Sequence, residues 1–131
     1  MKLKTLNPNI RGGGEPYITI QKNGSFYITA ACAQKMGLKK ENWFQVAVEE
    51  TDDHSSKLYL IESDKNDPMA ISTFSGRNSK ESGSYKFSSK PILRQLGVDY
   101  KDKSIRYVYV KEFKHQGKRA FEFDKRVEER D

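Results

Sequence analysis

A short pattern occurs twice in the chain, and this internal repeat constrains the fold more than any other feature of the sequence. Gly24-Ser25-Phe26-Tyr27-Ile28-Thr29 leads to Met36-Gly37-Leu38. Gly83-Ser84-Tyr85-Lys86-Phe87-Ser88 leads to Leu96-Gly97-Val98, at an offset of 59 residues for the strand and 60 for the later glycine. Each unit alone would leave an apolar face uncovered, so the repeat predicts two units that share one core.

The first unit, residues 17–65, is predicted to be β-β-α-β-β. Two runs rich in β-branched and aromatic residues flank Lys22-Asn23-Gly24, and Asn-Gly between such runs is a strong hairpin signal. A short helix rich in small residues ends at Gly37, where a left-handed backbone suits glycine. In order, the predicted elements are strands 17–21 and 25–29, a helix over 30–36, and strands 43–48 and 57–61.

The second unit, residues 66–124, repeats this order with longer turns. Pro91 lies near the start of its helix, where a missing N–H costs little, and Gly97 ends that helix. The predicted elements are strands 69–74 and 85–87, a helix to residue 96, and strands 105–110 and 119–123. Residues 1–16 are predicted to form a flexible N-terminal arm and residues 125–131 a charged tail. The expected fold class is mainly β with two short helices.

Seven aromatic residues on the predicted strands follow two-residue alternation, which favours the interior of a small barrel. They are Trp43, Phe44, Tyr59, Tyr107, Tyr109, Phe121 and Phe123.

Net charge points to a polyanionic partner. The chain has 24 Lys and Arg against 18 Asp and Glu, a net charge of +6, which fits nucleic acid but also describes many proteins that bind none. The lone Cys32 cannot form an internal disulfide and is typical of a small buried side chain. No apolar run is long enough for a signal peptide or a membrane span, so we expect a cytoplasmic protein with no membrane partner.

The spacing of these features resembles the pattern of a known protein family. The first unit resembles the swapped-hairpin DNA-binding domain of AbrB-type transition-state regulators, and the whole chain resembles the MraZ family, which carries two such units. The resemblance covers residues 17–62 well and 69–124 loosely, and it implies a barrel whose units exchange hairpins and a DNA-binding regulator of transcription. The matching residues are Gly24, Phe26, Ile28, Met36-Gly37-Leu38, Val46, Val48 and Leu58 to Ile61.

The chain departs from the family at positions that usually meet DNA. The family usually has Arg after the turn glycine and Pro after the strand, whereas this chain has Ser25 and Thr29, and the second unit has Ser84. Ala33 and Gln34 stand in the helix where basic residues are usual. The resemblance therefore implies the fold more directly than it implies DNA contacts.

Basic residues near the turns and helices are the candidate nucleic-acid contacts. The stretch from Phe74 to Arg94 has five basic residues against Glu81 alone, and its serine hydroxyls suit phosphate oxygens; a solvated loop is the alternative interpretation. The candidate residues are Lys22, Lys35, Lys39, Lys40, Arg77, Lys80, Lys86, Lys90 and Arg94.

No arrangement typical of an enzyme is present in the sequence. His54 and His115 lie in predicted turns without a second ligand at metal spacing, and the glycines at 12–14 lack the flanking residues of a phosphate loop. We expect no catalytic activity, cofactor, metal or small-molecule substrate.

Two further hypotheses remain beside a DNA-binding regulator. One is a single-stranded nucleic-acid binder that uses exposed aromatic side chains. The other is a non-enzymatic structural or interaction subunit of a mobile-element or virion assembly. In that case residues 1–16 and 124–131 would clasp neighbours in a homo-oligomer.

Overall fold

The structure, a computed structural model, describes residues 1–5, 15–50, 56–75 and 83–129. It is mainly β with two short helices, which confirms the predicted class. The helices are α1 (Ala30–Met36) and α2 (Lys90–Leu96). The strands are β1 (Tyr17–Ile20), β2 (Ser25–Ile28), β3 (Glu41–Ala47), β4 (Lys57–Glu62), β5 (Ala70–Ser75), β6 (Tyr85–Ser88), β7 (Lys103–His115) and β8 (Lys118–Glu129).

The eight strands close into an antiparallel barrel. Their order around the ring is β1-β2-β6-β5-β3-β4-β8-β7, and β7 returns to pair with β1. The predicted barrel is therefore confirmed. Because the ring has eight members, the β2–β6 pair and the β4–β8 pair lie on opposite sides of it.

The two halves of the chain occupy equivalent places in this ring. Among the described residues, each half contributes two strands, a helix and two strands. Exchanging β1 with β5, β2 with β6, β3 with β7 and β4 with β8 gives the same ring order, read in the opposite direction. In the pairing of β2 with β6, Tyr27 lies opposite Lys86. The separation of these two residues is the 59-residue offset of the sequence repeat.

Inward-facing side chains of alternating strand residues fill the barrel. The rings of Phe26 and Phe87 stack with centroids 4.5 Å apart and planes 7° from parallel. Four of the seven aromatic residues predicted to be interior are buried, namely Phe44, Tyr107, Phe121 and Phe123. The other three, Trp43, Tyr59 and Tyr109, are half-buried. Aromatic side chains carry the largest buried areas, so these rings contribute much of the core's stability.

Both helices are capped at each end, and of these caps the sequence analysis predicted the two glycines. The Thr29 hydroxyl accepts a hydrogen bond from the Cys32 N–H at 3.2 Å, and the Ser89 hydroxyl accepts one from the Ile92 N–H at 3.3 Å. Each satisfies a backbone donor that the helix itself leaves unpaired. Gly37 and Gly97 end the helices with φ of +67° and +63°.

The β7–β8 hairpin is longer than the sequence suggested. We predicted strands 105–110 and 119–123, whereas β7 extends from Lys103 to His115 and β8 from Lys118 to Glu129. Residues 125–129, which the sequence analysis assigned to a charged tail, belong to β8, and Glu129 pairs opposite Lys103. Pairing with β7 provides hydrogen-bond partners for the backbone N–H and C=O groups of these residues, while the charged side chains remain in solvent.

Little of the predicted N-terminal arm can be compared. Residues 1–5 are exposed and belong to no helix or strand, and residues 6–14 lie outside the described residues.

Candidate nucleic-acid interface

Most of the candidate basic residues lie in two stretches that contain no acidic residue. Residues 16–40 and 82–98 have no Asp or Glu, although the chain has 18 in all. The first stretch contains β1, β2 and α1, and the second contains β6 and α2. Their basic residues are Lys22, Lys35, Lys39, Lys40, Lys86, Lys90 and Arg94. We call the surface of these elements, with these seven residues, the basic face.

The fold brings the two stretches together because β2 and β6 are neighbours in the barrel. Tyr27 lies opposite Lys86, and Ser25 lies opposite Ser88 with its Oγ 3.3 Å from the partner Oγ. The phenylalanines that alternate with these residues are buried in the core. Successive strand residues point to opposite sides, so these four polar side chains point outward.

The two helices extend the basic face at its two ends. β2 runs into α1 and β6 runs antiparallel to it into α2, so the helices lie at opposite ends of the β2–β6 pair. Lys35 lies on α1, and Lys39 and Lys40 follow it, while Lys90 and Arg94 lie on α2. All five are exposed. The C-terminal end of α1 reaches β8, where Arg119 Nη2 donates to the Met36 carbonyl at 2.8 Å, and Lys39 lines a groove there with Glu41, Glu62 and Asp64.

Lys22 joins the group at the α2 end. It lies in the β1–β2 turn, two residues before Gly24. A Cβ on Gly24, whose φ is +88°, would lie 3.0 Å from Cδ1 of Leu93 on α2. This close approach holds the turn against the helix that carries Lys90 and Arg94.

Two predicted residues cannot be placed. Arg77 and Lys80 lie outside the described residues, in the connection between β5 and β6.

The cations of the basic face are not neutralised by the protein. Six ion pairs join described residues, and their cations are Lys57, Lys103, Arg119 and Arg126. None of the seven basic-face residues forms an ion pair with any residue that the structure describes. A cluster of unpaired cations attracts polyanions.

Sequence reasoning missed one basic side chain beside this face. Arg106 on β7 lies opposite Thr19 on β1, and its guanidinium carbon is 4.8 Å from the centroid of the Tyr17 ring. The side chain is exposed. Because Arg106 alternates with the inward-facing Ile105 and Tyr107, the sequence alone could have indicated that its side chain points outward. Its position near β2, however, depends on the pairing of β1 with β7.

On the opposite side of the barrel, some charges are paired within the protein. Lys57 Nζ lies 3.1 Å from both Glu122 Oε2 and Asp124 Oδ1, which hold the pKa of this lysine above its usual range. The Tyr59 hydroxyl donates to Glu49 Oε1 at 2.7 Å, and this bond raises the pKa of Tyr59 to about 12. Lys57 is therefore paired within the protein, whereas Lys111, Lys114 and Lys118 on the β7–β8 hairpin are exposed and form no ion pair with any described residue.

Cys32 is a core residue, as predicted. It is fully buried on α1, and burial raises the pKa of its thiol to about 12. A thiol that is neither ionised nor accessible is a poor nucleophile at neutral pH.

We therefore expect Cys32 in the folded protein to resist alkylation by iodoacetamide at pH 8. Unfolding in guanidinium should expose the thiol, return its pKa to the ordinary range and allow rapid labelling, which mass spectrometry would record. Labelling of the native protein at the unfolded rate would contradict the described burial.

Metal-binding groups do not cluster in the described part of the chain. No group of three His, Cys, Asp or Glu residues among the described residues could hold a metal ion. His115 is exposed at the end of β7, and His54 lies outside the described residues.

Both helices have seven residues, whereas a membrane span needs about 20. Among the described residues, no helix is long and apolar enough to cross a membrane. Comparison of the chain with protein-family models, with curated proteins and with solved structures found no match.

Proposed function

We propose that the protein binds duplex DNA through the basic face and contacts the phosphate backbone. One observation carries the proposal: two acid-free stretches meet at the β2–β6 pair, and their seven basic side chains have no ion-pair partner among the described residues. Duplex DNA carries about one negative charge per 1.7 Å of its axis, so it offers a matching row of anions.

The side chains of the basic face are better suited to contacts with the phosphate backbone of DNA than to recognition of its bases. Lysine is a flexible point charge that binds phosphate without fixed geometry, and the Ser25 and Ser88 hydroxyls are donors for phosphate oxygens. Phosphate contacts position a protein but carry no sequence information. We therefore expect weak sequence preference and a role as a sequence-tolerant transcriptional regulator.

We also infer that the barrel consists of two copies of one β-β-α-β-β unit with exchanged hairpins, as in AbrB/MraZ-like proteins. Three observations support this. The paired glycines of the repeat, Gly24 with Gly83 and Gly37 with Gly97, all have positive φ. Both helices have a hydroxyl cap. The two halves are also interchangeable in the ring order.

A salt titration tests DNA binding. Fluorescence anisotropy with a labelled duplex should give a log–log plot of association constant against salt with slope of about −0.9 per phosphate contact. Four to seven contacts predict a slope of roughly −4 to −6. Duplexes of unrelated sequence should bind within about tenfold of one another.

Two outcomes would contradict the proposal. Absence of binding at roughly 50 mM salt, or an affinity insensitive to salt up to roughly 200 mM, would exclude a phosphate-directed face. A single strand that binds more tightly than the duplex would instead favour base stacking on the outward-facing Tyr27.

A further inference from the structure

A groove on the side of the barrel opposite the basic face is open to solvent and lined mainly by apolar side chains. It has a volume of about 530 Å³, within the range of about 300–1,000 Å³ typical of ligand sites. Its apolar lining includes Val48 at the end of β3, Tyr59 and Ile61 on β4, and Phe113 on β7. Exposed apolar surface of this kind marks interaction sites.

The groove is pre-formed and acidic. The rings of Tyr59 and Phe113 meet edge to face, with centroids 6.0 Å apart and planes at 84°, and the hydrogen bond to Glu49 fixes the tyrosine hydroxyl. The lining includes Glu50, Glu122 and Lys111. With the adjoining Glu49, Asp124 and Lys57, the groove and its rim have four carboxylates against two lysines, a net charge of −2.

Residues 1–5 of this chain have the complementary chemistry. Met1 and Leu3 are 111% and 86% exposed, more than any other large apolar side chain of the described residues. Lys2 and Lys4 alternate with them and contribute a charge of +2. In an extended segment alternate side chains point to opposite sides, so the apolar pair would share one side and the two lysines the other.

We propose that residues 1–5 of one copy occupy this groove in a second copy, and that the exchange is reciprocal. In a single chain both the apolar pair and the groove remain in water, and a second copy covers both. The charges of the two surfaces are opposite in sign. Reciprocal exchange about a twofold axis closes the assembly at two copies.

The path of the chain fits this exchange. Pro16, just before β1, accepts a hydrogen bond from the Tyr109 N–H at 3.0 Å. Tyr109 lies on β7, the strand that supplies Phe113 to the groove. The chain therefore enters β1 beside the strand that supplies Phe113 to the groove. The groove faces away from the basic face, so the exchange leaves both basic faces free.

Light scattering and sedimentation of the full chain, without nucleic acid, test the proposal. We expect a concentration-dependent species of twice the chain mass of 15.1 kDa. Leu3→Glu and Val48→Glu should each weaken self-association at least about tenfold. Met69→Glu and Val127→Glu are the matched controls, because both residues are exposed and apolar but lie outside the arm and the groove; they should match the unaltered chain.

A charge exchange makes the test specific. Lys4→Glu should weaken self-association, and adding Glu50→Lys should restore it. A monomeric mass throughout the micromolar range would overturn the proposal, whether residues 1–5 stay free or dock within their own chain. Equal effects of the control substitutions, or failure of the charge exchange, would also overturn it. Each result is independent of DNA binding.

Discussion

Replacing Phe26 by alanine is expected to lower the free energy of unfolding by about 3–5 kcal/mol. The side chain is fully buried and stacks on Phe87 across the β2–β6 pair. This pair joins the two halves of the chain, so the substitution leaves a cavity where they meet. Urea or guanidinium denaturation monitored by circular dichroism would measure the loss.

Phe113→Ala is the matched control for this prediction. Phe113 is half-buried on the outer surface of β7, and its ring contacts only Tyr59 among the described aromatic residues. The same atoms are removed, but partial exposure should limit the loss to less than about 2 kcal/mol. Equal losses for the two variants would contradict the described core.

The largest expected effect on function comes from changing Lys86, Lys90 and Arg94 together to alanine. Each phosphate contact contributes about 0.9 log unit of affinity at 0.1 M salt relative to 1 M. Losing three contacts should weaken duplex binding roughly a hundredfold to a thousandfold and reduce the magnitude of the salt slope by about 3. The three side chains project from β6 and α2, so folding should persist.

The matched control changes Lys111, Lys114 and Lys118 to alanine. These residues are exposed on the β7–β8 hairpin and give the same change in net charge. If the face rather than the total charge determines binding, this variant should retain most of the affinity and slope. Equal losses in both triple variants would mean that net charge alone attracts the DNA.

Local signals in the sequence predicted the local structure well. Asn23-Gly24 marked the first hairpin, and the glycines at 37 and 97 marked the helix ends, because turns and caps depend on neighbouring residues. Residues 111–115 and 125–129 were not predicted as strand, since their charges interrupt apolar alternation. Their strand structure depends on the pairing of β7 with β8, which local sequence does not encode.

The candidate interface was predicted in composition but not in arrangement. The sequence identified Lys22, Lys86 and Arg94 as candidate contacts, but it could not show that β2 pairs with β6. Arg106 was missed because it comes near these residues only through the pairing of β7 with β1. The ion pairs of Lys57, Lys103, Arg119 and Arg126 also depend on tertiary distances that no local pattern contains.

Lysine footprinting tests the basic face most directly. The free protein and its duplex complex would be acetylated briefly, and mass spectrometry would compare the modification of each lysine. We predict protection of Lys22, Lys35, Lys39, Lys40, Lys86 and Lys90, with Lys111, Lys114 and Lys118 modified equally in both samples. Protection confined to the β7–β8 hairpin, or spread evenly over all lysines, would contradict binding through the β2–β6 side of the barrel.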